Sequence, residues 1–448
     1  MKFGGSKLVT PTFDIDGADP PIDDYLPQNG NRGYRVSRYE LDLEYKVESN
    51  RLAGKAKITA VTTDTVSKFA FDLGPALRVS KVTVNGSRSV KFSQHRGKLK
   101  ITPAKPVASG AALVVNIQYS GTPKPIDGFW GEVGWDELTE GSIVASQPNG
   151  AASWFPCDDH PVSKASYGIT ITTDSPYYAI ANGTLVRKQT RASRTTWVYE
   201  QPEPMATYLA TIQIGPYSQH TITESPVRMK AVLPHRLRPN FEHDFGRQPQ
   251  MMETFTRLYG PYPFAAYTVV VTDDDLEIPI EAQGLSIFGA NHCSGTRYFE
   301  RLVAHELAHQ WFGNSLTLGK WKDIWLHEGF ACYSEWIWAE NSGGSSAAEK
   351  ARRVHTMQRG LPRDLILGDP GPAKMFDDRV YKRGALTLHA LRTTIGDDKF
   401  FELIQEWTSK YRYSTVSTAD FTDLASRFGA PRSLWDAWLG QEQLPALP

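Results

Sequence analysis

Residues 299–314 read Phe299-Glu300-Arg301-Leu302-Val303-Ala304-His305-Glu306-Leu307-Ala308-His309-Gln310-Trp311-Phe312-Gly313-Asn314, and the rest of the chain is read outward from them. Phe299, Leu302 and Val303 recur at helical spacing and Gly313-Asn314 supplies a stop, so the pattern predicts a helix within 296–312. His305 and His309 then sit one turn apart on one face, where two imidazoles can reach a single metal ion at about 2.0–2.1 Å. Two ligands hold a metal loosely. A second helical pattern, 323–340, contains Trp325-Leu326-His327-Glu328-Gly329-Phe330 and offers Glu328 as the third. Two histidines and a carboxylate leave a fourth tetrahedral position open to water, which is the arrangement of a catalytic zinc site. One Zn2+ per chain is expected. Two satisfied surface histidines would be the alternative for the His-Glu-x-x-His motif alone, and that alternative must then explain Glu328 by accident.

Upstream the period changes. Apolar residues alternate at Tyr39, Leu41, Leu43, Tyr45 and Val47, then at Leu52, Ala56, Ile58 and Ala60, which predicts strand, turn, strand. Val82 and Val84 before Asn85-Gly86, Leu113 to Tyr119 before Gly121, and Ile169 to Ala179 around Asp174-Ser175-Pro176 repeat the signal. The first half is expected to be mostly antiparallel sheet, after an extended lead over Pro11 to Gly33. Around Ala231 to Asn240 prolines and arginines interrupt the pattern, and helical spacing resumes at Met251, Thr254, Phe255 and Leu258. The expected domains are therefore 1–230, a β domain, and 231–448, a mixed helix-rich domain with a short strand at 267–272 and helices at 323–340 and 385–394.

The 448 residues carry 49 Lys plus Arg and 49 Asp plus Glu, with 40% hydrophobic residues. Balanced charge removes the electrostatic argument for a nucleic-acid or membrane-surface partner. Cys157, Cys293 and Cys332 are odd in number and widely spaced, so neither a disulfide framework nor a cysteine zinc site is expected. Met1 to Asp16 lacks an apolar signal region and no run approaches the roughly 18 apolar residues of a bilayer span. A cytoplasmic placement and a monomer are expected.

His-Glu-x-x-His followed after eighteen residues by Glu328, with Gln310 to Asn314 and Glu328-Gly329-Phe330-Ala331, resembles the gluzincin aminopeptidases of the aminopeptidase N type. Tyr259-Gly260-Pro261-Tyr262-Pro263-Phe264 and Glu281-Ala282-Gln283-Gly284-Leu285 stand where that family has its Pro-Tyr-Pro segment and its Gly-Ala-Met-Glu-Asn signature. Tyr381-Lys382-Arg383-Gly384-Ala385 resembles its Tyr-x-Lys-Gly-Ala, and Gln147 with 155–165 resembles the part of the first domain that reaches into the site. The resemblance implies an α+β fold, a saddle-like antiparallel β domain followed by a thermolysin-like zinc metallopeptidase domain, and removal of N-terminal residues from peptides with free N-termini.

Glu306, between the two histidine ligands, is expected to take the proton of the attacking water. The resemblance assigns oxyanion stabilisation to Tyr381, which spacing alone reads equally as a buried aromatic. It also assigns the substrate ammonium to Glu281, otherwise a strand-end charge, with Gln147 as a second acceptor. The chain departs from the family at Ile278-Pro279-Ile280 and Ala282, at Asn149, and at His327 before the third ligand. His327 points about 100° away from Glu328 on a helix and reads as packing or support. Glu335, two turns beyond Glu328, reads as a partner of a ligand histidine or an exposed acid, Cys332 as packing, and Asp273-Asp274-Asp275 with Glu277 as a solvated acidic loop. Relatives that hydrolyse an epoxide lipid in the same site, or a zinc-binding scaffold without turnover, remain the competing functions. Relative to larger members, the chain reads as a short two-domain form without the C-terminal helical domain, with an open site that accepts long peptides as readily as short ones.

Overall fold

The computed structural model describes residues 22–448; Met1 to Asp16, and most of the lead expected over Pro11 to Gly33, lie outside the described residues. The alternating segments become a seven-stranded sheet ordered Arg194 neighbours outward: Thr184–Arg191, Arg194–Met205, Ala165–Asp174, Tyr34–Lys46, Arg51–Thr62, Ala112–Gly121 and Leu77–Val84. Strict alternation survives in the burial: Leu41, Leu43, Leu52, Ala56 and Ile58 point inward while their neighbours face solvent. One pair departs from the antiparallel expectation. Tyr34–Lys46 and Ala165–Asp174 run parallel, with Leu41 opposite Ile169 and Leu43 opposite Ile171. Parallel neighbours require a long crossover, and here it is residues 47–164, of which 122–164 build most of a second sheet.

That second, five-stranded sheet is ordered Tyr178–Ala181, Ile212–Gly215, Gly141–Ala145, Gly131–Leu138 and Ile126–Gly128. Tyr45 of the first sheet meets Trp135 of the second with ring centroids 4.8 Å apart. The turn Asp174-Ser175-Pro176 therefore hands the chain from one sheet to the other and closes no hairpin.

A third sheet belongs to the helix-rich half: Ser218–Thr223, Arg228–Leu233, Ala266–Val271, Leu285–Phe288 and, at its edge, Ile280–Ala282. Residue 230 lies inside this sheet, where Lys230 pairs with Thr268. Helices follow: α1 (Arg238–Asp244), α2 (Gln248–Tyr259), α3 (Glu300–Ala308), α4 (Trp325–Asn341), α5 (Ala347–Gln358), α6 (Asp378–Ile395), α7 (Asp397–Lys410), α8 (Thr418–Arg427) and α9 (Arg432–Trp438). α3 is shorter than the pattern suggested, because Arg297 adopts a φ of 57° and blocks an earlier start. Among the described residues no helix is long and apolar enough to cross a membrane.

Residues 22–31 strap the halves together. Asp23 accepts from the Trp321 N–H at 2.7 Å, Tyr25 donates to Asp369 and accepts from the Gly371 N–H at 2.6 Å, and Asn29 accepts from Asn149 at 3.1 Å.

Candidate active site

α3 sets His305 and His309 side by side, their ring centroids 4.8 Å apart. α4 packs across it and presents Glu328 from its first turn. Glu328 Oε2 lies 3.5 Å from Nε2 of both histidines, and all three side chains are buried. The far side of each imidazole is committed: His305 Nδ1 meets Glu335 Oε1 at 2.9 Å and His309 Nδ1 meets the Phe312 carbonyl at 3.0 Å. With a metal bound, each Nδ1 would keep its proton on these partners and each Nε2 would turn its lone pair to the ion beside Glu328. Glu335 is itself held by Arg301 at 3.3 Å. Ligand atoms of His305, His309 and Glu328 lie within 4.8 Å of one another. Two neutral imidazole nitrogens and one carboxylate converging in a buried pocket fit the tetrahedral demands of zinc.

The electrostatics follow from burial opposed by neighbours. Burial works against the Glu328 carboxylate, yet the His309 and His305 rings hold it well below the usual range. Burial likewise disfavours the His305 imidazolium, but Glu328 and Glu335 outweigh it and raise His305 to about 9. Burial outweighs the same His305 and His309 rings at Glu306 and pushes its carboxyl up to about 8, and its Oε2 has no hydrogen-bond partner. An unpaired buried carboxylate oxygen costs free energy unless the site itself uses it.

Glu281 stands on the edge strand Ile280–Ala282, and its carboxylate, that of Glu306 and the His309 ring nitrogen lie within 4.8 Å of one another. Gln147, just past the strand Gly141–Ala145 of the β half, donates from Nε2 to Glu281 Oε1 at 2.6 Å. Burial raises the Glu281 carboxyl above its ordinary value. The two halves thus meet at this acid.

Tyr381 reaches the cluster from α6, its ring nearly parallel to His305 with centroids 6.2 Å apart. Two glycines allow this approach: a Cβ on Gly384 of α6 would fall 2.6 Å from the Gly329 Cα, next to Glu328 in α4. Burial, with Glu328 and Glu281 nearby, pushes the Tyr381 phenol well above its ordinary value, so it stays a hydrogen-bond donor.

The remaining candidates separate. His327 turns away, its Nε2 accepting from the Leu318 N–H at 2.8 Å, and burial depresses it to about 3, so the ring is neutral. Cys332 is buried beside Lys382, 3.6 Å from its Nζ. Asp273 pairs with Arg236 and Asp274 accepts from Thr139, which spends those acids within the chain.

Sequence reasoning passed over the amides that hold Glu281 in place. Gln310 accepts from the Gly284 N–H at 2.8 Å and donates to the Ala282 carbonyl at 3.2 Å, while Asn314 donates to the same carbonyl at 2.9 Å. From the β half, Asn182 donates to the Gln283 carbonyl at 3.0 Å. The signal was present: two amides flanking the aromatic run Trp311-Phe312 would be buried, and buried amides need backbone partners. Gly313 between them has a φ of 127°, and a Cβ there would press His309 Nδ1 at 3.3 Å.

Comparison with known proteins matches both halves in order. The Peptidase M1 N-terminal domain covers residues 36–209 and the Peptidase family M1 domain residues 244–438. Leucyl aminopeptidase of Saccharolobus solfataricus is 25% identical over 86% of this chain and 50% of its own length. Human endoplasmic reticulum aminopeptidase 1 is 27% identical over 78% of this chain and 40% of its own length. The chain spans about half the length of the curated relatives it matches. An M1 zinc metallopeptidase from Deinococcus radiodurans superposes with a TM-score of 0.87 at 29% identity, covering 96% of this chain and 99% of that one. A mutant of that protein has been solved bound to a Tyr-Ser-Ala substrate. Native yeast LTA4 hydrolase, at 21% identity and a TM-score of 0.78, shares the fold. Since both domains are matched in sequence and nearly the whole chain superposes on a zinc enzyme of the same kind, this protein belongs to peptidase family M1.

Proposed function

We propose that the chain is a zinc aminopeptidase that hydrolyses the first peptide bond of peptides with a free N-terminus, using one zinc ion held by His305, His309 and Glu328. The observation that carries this is the position of Glu281: a buried acid on an edge strand, beside Glu306 and His309 and bridged by Gln147 from the other half. A substrate α-ammonium placed there would gain charge-assisted hydrogen bonds, and an acetylated N-terminus would leave the acid unpaired. The likeness to aminopeptidases supports the same reading.

Zinc held by His305, His309 and Glu328 would supply Lewis acidity and make a water nucleophilic near neutral pH. Glu306 takes that water's proton as the carbonyl carbon is attacked, and passes it to the departing amine. Its unpaired Oε2 is the acceptor. Tyr381 donates its phenol O–H to the oxygen that gains charge. Glu335 and the Phe312 carbonyl fix the ligand rings, and Gln310 and Asn314 fix the strand that carries Glu281.

We further place the division between the halves at Pro216-Tyr217. Ile212–Gly215 still belongs to the second β sheet, and Ser218–Thr223 opens the catalytic one. A reducing, cytoplasmic setting suits Cys157, Cys293 and Cys332, all buried and unpaired.

The test compares aminoacyl-arylamides and short peptides with and without N-acetylation. Zinc-loaded protein is expected to turn over only the free amines, to stop on chelation and to recover with zinc. Equal turnover of acetylated substrates would remove the ammonium role of Glu281, and no chelator-sensitive turnover of any of them would remove the function.

A further inference from the structure

On the other side of α6 from the metal cluster, a cavity of about 310 Å³ opens between α5, the segment 361–363, α6 and residues 442–446. Arg359, Arg363, Arg379 and Arg383 all line it. They are not equivalent. Arg379 is spent on Asp377 and Asp364. Arg383 is 4% exposed and has no carboxylate: Nη1 donates to the Leu365 and Glu442 carbonyls at 2.6 and 3.0 Å, and Nη2 to the Gln441 carbonyl at 2.8 Å. Its Nε–H is buried and has no partner. Burial lowers its guanidinium to about 10, with Arg379 adding to the effect.

A desolvated cation without a counter-charge is costly, and the usual remedy in folded chains is a paired anion. Arg392 follows that rule, paired with both Glu340 and Asp397, whereas Lys164, like Arg383, rests on backbone carbonyls, those of Asn314 and Ser315. Arg359 and Arg363 are exposed on the rim and, among the described residues, pair with no carboxylate. Glu442 is the one acid among the lining residues, and it is exposed. Three unneutralised guanidiniums around a cavity of ligand size suit a doubly charged, three-oxygen group better than a lone carboxylate, which a single Arg would satisfy.

We propose that this cavity binds a phosphate group, free or carried by a small molecule, between the guanidiniums of Arg359 and Arg363 and beside the unneutralised charge of Arg383. The site is separate from the metal centre: Arg383 follows Tyr381 by two positions, about 200° around α6, so the two side chains leave opposite faces. The inference is independent of the peptidase reading.

Titration calorimetry with inorganic phosphate and with adenosine monophosphate, at constant ionic strength, tests it on the whole chain after zinc removal, which keeps phosphate from binding the metal. Saturable binding at one site is expected, weakened about tenfold or more in Arg359→Ala/Arg363→Ala, a variant that leaves aminopeptidase turnover of the zinc-loaded protein unchanged. Tighter binding of the nucleotide than of phosphate identifies a carried group, and equal binding identifies the free ion. No saturable binding, or binding that the double variant leaves intact or that chloride abolishes at equal ionic strength, overturns the proposal.

Discussion

A cluster of buried carboxylates in each half, Asp72, Asp158 and Asp159 in one and Glu281, Glu306 and Glu328 in the other, is held in a different way. In the β half, Asp72 accepts from Asn31 Nδ2 at 2.8 Å and from the Asp159 N–H at 3.1 Å, and pairs with Lys98 at 2.5 Å. Asp158 accepts from the Asn31 N–H at 2.6 Å and from Ser163, and Asp159 from Thr207 at 2.7 Å. Burial raises Asp158 to about 6 and Asp159 to about 7, and Asp159 Oδ2 has no hydrogen-bond partner. In the zinc half, Glu306 keeps an oxygen with no partner, and Glu328 faces two imidazole nitrogens whose other sides are already committed. The difference is in what the acids face: Asp72, Asp158 and Asp159 lie among donors of their own chain, whereas Glu281, Glu306 and Glu328 converge with His305 and His309 on one pocket.

The comparison breaks most sharply at Glu306. Glu306→Gln is expected to lower kcat by about 10³-fold or more while metal analysis still finds one zinc per chain; turnover within tenfold of the parent would make Glu306 another structural acid. Tyr381→Phe is expected to lower kcat by about 10²-fold with little change in KM, since the lost donor serves only the developing oxyanion. Glu335→Gln should weaken zinc binding by about 10- to 100-fold in a chelator competition, because His305 loses the carboxylate that orients it. Gly384→Ala sets a methyl against the Gly329 backbone and should cost about 1–3 kcal/mol in urea unfolding, with kcat falling as Tyr381 is displaced.

The smallest effect sharpens the β-half side. Asp159 has a folded pKa raised above its unfolded value, so its contribution to stability is full below about pH 4 and is lost as pH rises through about 7. Asp159→Asn does not titrate. The melting temperature of the parent minus that of the variant is therefore expected to fall by a few degrees between pH 4.5 and 8; a flat difference would mean that Asp159 is ionised in the folded protein throughout.

Much of this was legible along the chain because it is local. Strands appear where apolar residues alternate, and the His305–His309 pair is set by the helical repeat. The parallel pairing of Tyr34–Lys46 with Ala165–Asp174 was not legible, since register between segments that far apart leaves no trace in either one. Nor was the location of residue 230 inside a strand: proline and arginine mark a turn, and they do not say which sheet the next strand joins. Glu281 shows the limit within the site. Its neighbours Ile280 and Ala282 suit any exposed strand end, and only the Gln310, Asn314 and Asn182 amides, drawn from two elements and both halves, hold it beside His309.

The sequence by itself determined which residues could form the proposed zinc site, because His305, Glu306, His309 and Glu328 occupy two helical segments whose geometry is a property of the backbone repeat. Tertiary structure decided what faces that set. Gly329 and Gly384 let α4 and α6 touch and bring in Tyr381, and the β half delivers Gln147 to Glu281. It also left Arg383 buried without an acid. Such contacts depend on the packing of surfaces distant in the chain, where desolvation and close approach, and not local spacing, set the free energy.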